Sequence, residues 1–264
     1  MGWNMSVTIL SWNVNGIRAA SRKGFLEWLF WESPDILCVQ EIKAQPEQLG
    51  KDLREPNDYS VYWNWAEKRG YGGVATFSKE KPSRVQIGFG IKRFDEEGRV
   101  IITEYPNFLL FNIYFPNGKL SNERLEYKMD FYEAFLDFTD PLQKEDKRLV
   151  VCGDFNTAHH AIDLARPKEN EKVSGFLPME RAWMDKLMEH GFVDTLRYFN
   201  KEPGQYTWWD FKTRARERNV GWRIDYIFIS ANMLGVLSKA FIMPEVTGSD
   251  HCPVGIELDL DQPR

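Results

Sequence analysis

Leu149-Val150-Val151-Cys152-Gly153-Asp154-Phe155-Asn156 is the stretch on which the fold turns. Its first four residues are apolar, two of them β-branched, and they mark a buried strand. The strand then runs straight into a carboxylate and an amide. A buried strand with such an end must find partners for those polar groups. A weak echo of the form recurs in Ile9-Leu10-Ser11-Trp12-Asn13 and in Leu109-Leu110-Phe111-Asn112-Ile113-Tyr114. Several such ends gathered on one rim would form a cation and phosphate site.

Outward from this stretch, strand patterns rich in Val, Ile, Phe and Tyr recur along the chain. They cover Val7–Asn13, Asp35–Glu41, Gly73–Ser78, Val100–Glu104, Phe108–Phe115, Arg148–Asp154, Arg223–Ser230 and Val254–Leu260. Helical spacing of apolar residues covers Gly24–Trp31, Asn122–Phe138 and Met179–Glu189. Pro178 suits a first helical turn and Gly191 a stop just beyond the last. The mixture is too strand-rich for a doubly wound sheet. Two packed sheets with helices outside is the expected architecture.

The chain has 264 residues and 43% hydrophobic content, enough to bury a full core. No flexible linker or charge block divides it, so 1–264 is expected to be one domain. The formal net charge of −5 gives no global pull toward nucleic acid. Any DNA affinity must come from a local basic face. Cys38, Cys152 and Cys252 are too few and scattered for a disulfide framework or a zinc site, and each sits in or beside an apolar run. That pattern fits a reducing compartment. No run approaches the ~20 apolar residues of a membrane helix, and the N-terminus lacks signal-peptide character. Met1-Gly2 with Ser6 matches the myristoylation pattern, which is short and common by chance, and Met5 is an alternative start. The expectation is a cytoplasmic, unlipidated monomer with no membrane partner.

Four clusters offer chemistry. Asn13 and Asn15 flank Val14, and Asp154 and Asn156 flank Phe155; two-residue spacing puts each pair on one strand face. Glu41 follows Ile36-Leu37-Cys38-Val39, and Asp250-His251 precedes the last strand. Hard oxygens, one imidazole and no thiolate suit magnesium, with manganese as a substitute, better than zinc or copper. Each cluster also has an ordinary reading: a strand-end carboxylate is often solvated, and Asp-x-Asn often makes an Asx turn. His190 fits a helix C-terminus, where its charge meets the helix dipole, and His159 and His160 fit a structural or surface role. Trp28 and Trp31 fit a packed helix face. Lys212, Arg214, Arg216, Arg218 and Arg223 against Glu217 form a basic stretch. It suits DNA phosphates, or simply a solvated loop.

The residues around the clusters resemble the exonuclease III family of abasic-site endonucleases along nearly the whole chain. Gly153-Asp154-Phe155-Asn156 and Ser249-Asp250-His251 alone indicate only the wider superfamily, which includes pancreatic-type deoxyribonucleases, sphingomyelinases and inositol-phosphate phosphatases. Asn15-Gly16-Ile17-Arg18-Ala19, Phe115-Pro116-Asn117-Gly118 and Asn219-Val220-Gly221-Trp222-Arg223 narrow the resemblance to the abasic-site branch. It implies a four-layered α/β/β/α sandwich, a magnesium cofactor, and cleavage 5′ to abasic sites in double-stranded DNA. It further allows 3′–5′ exonuclease or 3′-phosphodiesterase activity, or nicking at damaged bases.

In residue terms it implies Glu41 as principal metal ligand with Asn13 and Asp250 beside it, and Asp154, Asn156 and His251 as further candidates. Asp154 would prepare the attacking water and Asn156 would hold the phosphate. His251, oriented by Asp225, would bind that phosphate with Tyr114 and Asn117. Trp208, Trp222 and Ile224 would wall a pocket for an extruded sugar. Asn15, Arg18, Lys119, Asn170 and Arg216 complete the implied DNA contacts. Asp225 sits awkwardly, because Trp222 and Ile224 share a strand face that Asp225 should leave unless the strand bends. Val173 replaces an Asn that contacts DNA in some relatives, and His160-Ala161 a more polar pair. A lipid or inositol phosphodiesterase would need an apolar groove or membrane loop, which the sequence does not display. A catalytically silent DNA-binding module would show damage at Asp154, Asn156 or His251, and all three are present.

Overall fold

A computed structural model describes residues 6–260, so Met1-Gly2 and Met5 of the lipidation pattern lie outside the described residues. In chain order the strands are β1 (Ser6–Asn13), β2 (Ile36–Gln40), β3 (Ser60–Asn64), β4 (Val74–Ser78), β5 (Arg84–Ile87), β6 (Val100–Glu104) and β7 (Leu109–Tyr114). After them come β8 (Leu149–Asp154), β9 (Phe192–Asp194), β10 (Trp208–Trp209), β11 (Gly221–Trp222), β12 (Asp225–Ser230), β13 (Leu237–Ile242) and β14 (Val254–Asp259). One six-stranded sheet has the order β13-β14-β1-β2-β4-β3, a second has β5-β6-β7-β8-β12-β9, and β10-β11 form a small ribbon.

Alternation along the strands builds the layers. Val7, Ile9, Ile36 and Cys38 of the first sheet meet Leu110, Val150, Cys152, Ile227 and Ile229 of the second in one buried cluster. The residues between them point outward. Leu10, Trp12, Leu37 and Val39 pack on Phe25 and Leu29 of the helix Phe25–Glu32. Phe111, Ile113, Val151 and Phe228 pack on Phe131 and Phe135 of the helix Asn122–Lys144 and on Trp183 and Leu187 of the helix Pro178–Glu189. The result is the expected α/β/β/α sandwich.

Counting by twos from the inter-sheet residues places Asn13, Tyr114, Asp154 and Asp225 on that same inner face, at one rim. Register brings them level. Tyr114 lies opposite Asp154 in the parallel β7–β8 pair, and Asp225 lies opposite Asp154 in the antiparallel β8–β12 pair. Asn13 pairs with Gln40 in the parallel β1–β2 pair, so Glu41 emerges on the same rim. One step inward the core is already polar: Gln40 Nε2 donates to Ser11 Oγ at 3.0 Å and to Asn112 Oδ1 at 2.8 Å, and Asn112 Nδ2 donates to the Ala75 carbonyl at 2.8 Å.

The structure differs from the sequence expectation in places. β3, β5, β9 and β13 lie at sheet edges; β5 and β13 mix exposed with half-buried residues, β3 is mostly half-buried and β9 is only three residues long, so they lack the long apolar runs that reveal central strands. The helix Asn122–Lys144 continues past Phe138 and through Pro141, where Leu142 still packs on the core. Packing over a long helix outweighs the roughly 3 kcal/mol penalty of an interior proline. Trp28 packs edge-on against Trp12, but Trp31 is 85% exposed, because it falls off the stripe that buries Phe25 and Leu29. The expected strand Arg223–Ser230 starts only at Asp225, since Ile224 and Asp225 both give their N–H to Thr207 Oγ1 at 3.1 Å. That break lets Trp222 and Ile224 line one wall while Asp225 enters the inter-sheet face.

Candidate active site

The rim carries a cavity of about 250 Å³ lined by Asn15, Glu41, Lys43, Asn117, Lys119, Asp154, Asn156, Gly175, Trp208, Trp222, Ile224, Asp250 and His251. At its centre Asn13 Nδ2 donates to Asp154 Oδ2 at 2.9 Å and to Glu41 Oε1 at 3.1 Å, joining the two sheets through one amide. Asn15 and Asn156 do not share strand faces with their partners. Both strands have ended, and both residues adopt left-handed backbone, φ 46° and 51°. Each amide is brought back by an Asx-type turn, with Asn15 N–H donating to Asn13 Oδ1 at 2.9 Å and Asn156 N–H to Asp154 Oδ1 at 2.7 Å. Glu41 (52°) and Lys43 (48°) are left-handed as well. Non-glycine residues in this region cost about 1–3 kcal/mol each and persist only where surroundings enforce them.

The Asx turn and the site are therefore compatible at Asp154. Asn156 Nδ2 donates to the Phe115 carbonyl at 2.9 Å, and its Oδ1 accepts from Asn117 Nδ2 at 2.8 Å. Asp250 accepts from Asn15 Nδ2 at 2.9 Å and from the Trp208 indole N–H at 3.0 Å. His251 Nδ1 lies 2.8 Å from Asp225 Oδ2, which also accepts from Thr207 Oγ1 at 2.6 Å. The other Asp225 oxygen is buried without a hydrogen-bond partner.

This crowding fixes the charges. Burial first, then Asp225 and Glu41, push the Asp154 carboxyl up to about 7, against the opposing pull of His251. Burial resists the charge on His251, but Asp225, Asp154 and Asp250 outweigh it and raise the imidazole to about 10. Burial likewise resists the Glu41 charge, yet Lys43 holds that carboxyl below its ordinary value. Burial above all raises the Tyr114 phenol, with Glu41 adding to the effect. At neutral pH His251 is a cationic donor with Nδ1 occupied, suited to an anion. Asp154, Asp225 and His251 bring possible ligand atoms within 4.8 Å of one another. Protonation makes His251 the weakest candidate of that trio.

Trp208 and Trp222 pair across the β10–β11 ribbon at 82° and pack with Phe176, Ala158, Leu164 and Ile224. Trp209 points the other way into a separate buried cluster, as neighbouring strand residues must. Lys119 Nζ sits 5.2 Å and 5.3 Å from the Trp208 and Trp222 ring centres, and burial lowers its proton affinity. Arg18 is exposed, and neither Arg18, Asn170 nor Arg216 lines the cavity. Arg216 instead donates to the Pro244 and Val246 carbonyls at 2.6 Å each. Arg223 drops out of the basic stretch: it is 1% exposed and bound to Asp163 and Asp194.

Sequence reasoning missed several supports. Lys43 pairs with Glu41, and Thr207 holds Asp225. Lys128, fully buried with Glu180, donates to the Asn156 carbonyl at 2.8 Å. Glu180 in turn accepts the N–H of Gly175 at 2.6 Å and so pins the loop that lines the cavity. The signal was available. Lys128 sits in the stripe 128-131-132-135 and Glu180 in 180-183-184-187, each a charge at an otherwise apolar helical position.

The Endonuclease/Exonuclease/phosphatase family model matches residues 10–251, a span that holds every group just described apart from the final strand. The chain belongs to this family. It is 44% identical to the exodeoxyribonuclease of Bacillus subtilis (strain 168) over 96% of this chain and 99% of that protein. It is 40% identical to the DNA-(apurinic or apyrimidinic site) endonuclease of Dictyostelium discoideum over 96% of this chain and 71% of the relative. The fold matches that of a 3′ phosphatase from Neisseria, solved bound to product DNA hairpin, with TM-score 0.88 and 28% identity over 96% of this chain and 99% of that one. Within the family the chain groups with the nucleases.

Proposed function

We propose that this nuclease hydrolyses the phosphodiester bond 5′ to abasic sites in double-stranded DNA, using magnesium. The observation that supports this reading most is the juxtaposition of Asp154, Asn156 and the Asp225–His251 pair with a pocket walled by Trp208, Trp222 and Ile224. A base-free nucleotide is the least costly to turn out of a duplex, and an apolar-walled pocket accepts its sugar. Asp154 takes the proton of the attacking water. Asn156, Asn117 and protonated His251 hold the phosphate oxygens, with Tyr114 beneath them. The DNA flanks meet Asn15, Lys119, Arg18, Asn170 and Arg216. We read 1–264 as one catalytic domain, because the site draws on both sheets, and place the monomer in the cytoplasm, in keeping with three buried free cysteines. Among the described residues no helix is long and apolar enough to cross a membrane.

The donor set fits a divalent ion. Glu41, Asp154, Asp225 and Asp250 crowd together, the Asp154 proton affinity is raised, and one buried Asp225 oxygen has no partner. Glu41 would be the main ligand, with Asn13 and Asp250 beside it and Asp154 and Asn156 within the same cluster. When bound, the ion supplies neutralisation of charge on the leaving oxygen. Phosphodiester hydrolysis needs roughly 15–23 kcal/mol of catalysis. A positioned base supplies only ~3–5 kcal/mol of this. Positioning and charge must supply the remainder.

The test is a duplex with one abasic site beside its intact counterpart. The expected result is a single cut 5′ to the lesion, abolished by chelator and restored by magnesium or manganese. Full cleavage in excess chelator, or equal cutting of both duplexes, would overturn the proposal. Glu41→Gln should shift the magnesium titration to higher concentration while leaving DNA affinity nearly unchanged. An unaltered magnesium dependence would remove Glu41 from the ligands.

A further inference from the structure

Outside the catalytic cavity, two imidazoles and a carboxylate meet where the chain leaves β8. We propose that His159, His160 and Asp185 form a second metal site, for a zinc-class divalent ion, that fastens this loop to the helix Pro178–Glu189. Their possible ligand atoms all lie within 4.8 Å of one another, and His159 Nε2 is 2.7 Å from Asp185 Oδ1. The two rings stack at 3.6 Å with 22° between planes.

One ligand is already in place. His159 is 4% exposed, its N–H donates to the Tyr226 hydroxyl at 3.1 Å, and its carbonyl accepts from Arg181 Nε at 3.0 Å. The other two are exposed, so His160 can turn until its nitrogen converges with that of His159. Asp163, the other carboxylate at this loop, is taken by Arg197, Arg223 and the His160 N–H and does not compete. Two imidazole nitrogens and one oxygen, with open positions for water, suit zinc, cobalt or nickel and discriminate against magnesium. Oxygen-rich and nitrogen-rich centres thus sort two metals on one chain.

The ordinary alternative is a plain His159–Asp185 hydrogen bond, and His160→Ala separates the two because it spares that bond. Zinc chloride titrated into the metal-free full chain, with magnesium in large excess, is expected to bind at one equivalent and to raise the thermal midpoint. Cobalt in its place should give the visible absorption of a nitrogen-containing site. His160→Ala and Asp185→Asn are each expected to weaken zinc about ten-fold or more. In His160→Ala the zinc-induced rise of the midpoint should need correspondingly higher zinc. Glu41→Gln should bind zinc as the parent does. Absence of binding, equal affinity in His160→Ala, or loss of binding in Glu41→Gln would overturn the site. Absence of binding, or equal affinity in His160→Ala, bears on this site alone and leaves the reading of the catalytic centre untouched.

Discussion

Asp154→Asn should give a folded protein that binds abasic duplex DNA but cuts it at least ~10²–10⁴-fold more slowly, the range for a positioned base. The isosteric amide preserves the shape and an acceptor for the Asn156 N–H, which donates to Asp154 Oδ1 at 2.7 Å. It removes the carboxylate positioned to accept a proton from water. Asp154 joins Asn13, Asn156 and the register partner Asp225, so some stability must change with it. Were Asp154 only a turn residue, the variant would lose about 1 kcal/mol of stability and keep near-normal turnover. Single-turnover cleavage and thermal unfolding of one preparation distinguish these results. In the parent protein, a carboxyl raised to about 7 gives an acid limb in the rate profile. Rising magnesium should move that limb to lower pH, because a nearby cation favours the carboxylate. A limb that stays fixed while magnesium varies would separate Asp154 from the metal.

Much of this site could be read from sequence because central strands announce themselves twice, by their apolar runs and by the polar groups that end them. Asn13, Asp154 and Glu41 were legible for that reason. Asn15 and Asn156 do line the cavity, but not by the expected route: the strands stop before them, and left-handed turns do what alternation was expected to do. Asp225 was awkward because sequence does not show where a strand breaks, and Thr207 causes the break from 18 residues away. Arg223 was misread as surface charge, since nothing local reveals that Asp163 and Asp194 await it. The basic face it seemed to extend is smaller than its arginine count suggests. Lys128 and Glu180 were legible in principle as charges in apolar stripes, but their pairing across 52 residues exists only in the fold.

His251 should prove to work as a cation rather than as a base, and Asp225 decides which. His251→Asn removes a charged donor from the phosphate oxygens, and cleavage should fall ~10²–10³-fold. Asp225→Asn is the more informative change. Burial opposes a charge on His251, and Asp225 is the first of the groups that overcome it to reach a value of about 10. Without that carboxylate the imidazole loses its proton at lower pH. From about pH 7.5 to 9.5 the parent retains the imidazolium, whereas Asp225→Asn should lose activity steadily as pH rises. Asp154 is ionised in both proteins across most of this window, so the ratio of their rates isolates His251. Stability follows the same sign. Because the folded value is raised, the pair stabilises fully below the unfolded value of ~6.5, and that contribution is lost as pH climbs toward 10. Urea unfolding of the parent should therefore weaken across this interval, and Asp225→Asn should flatten the slope. Parallel rate profiles and parallel slopes in the two proteins would mean that His251 is neutral in the parent, and that the phosphate is held by Asn156 and Asn117 alone.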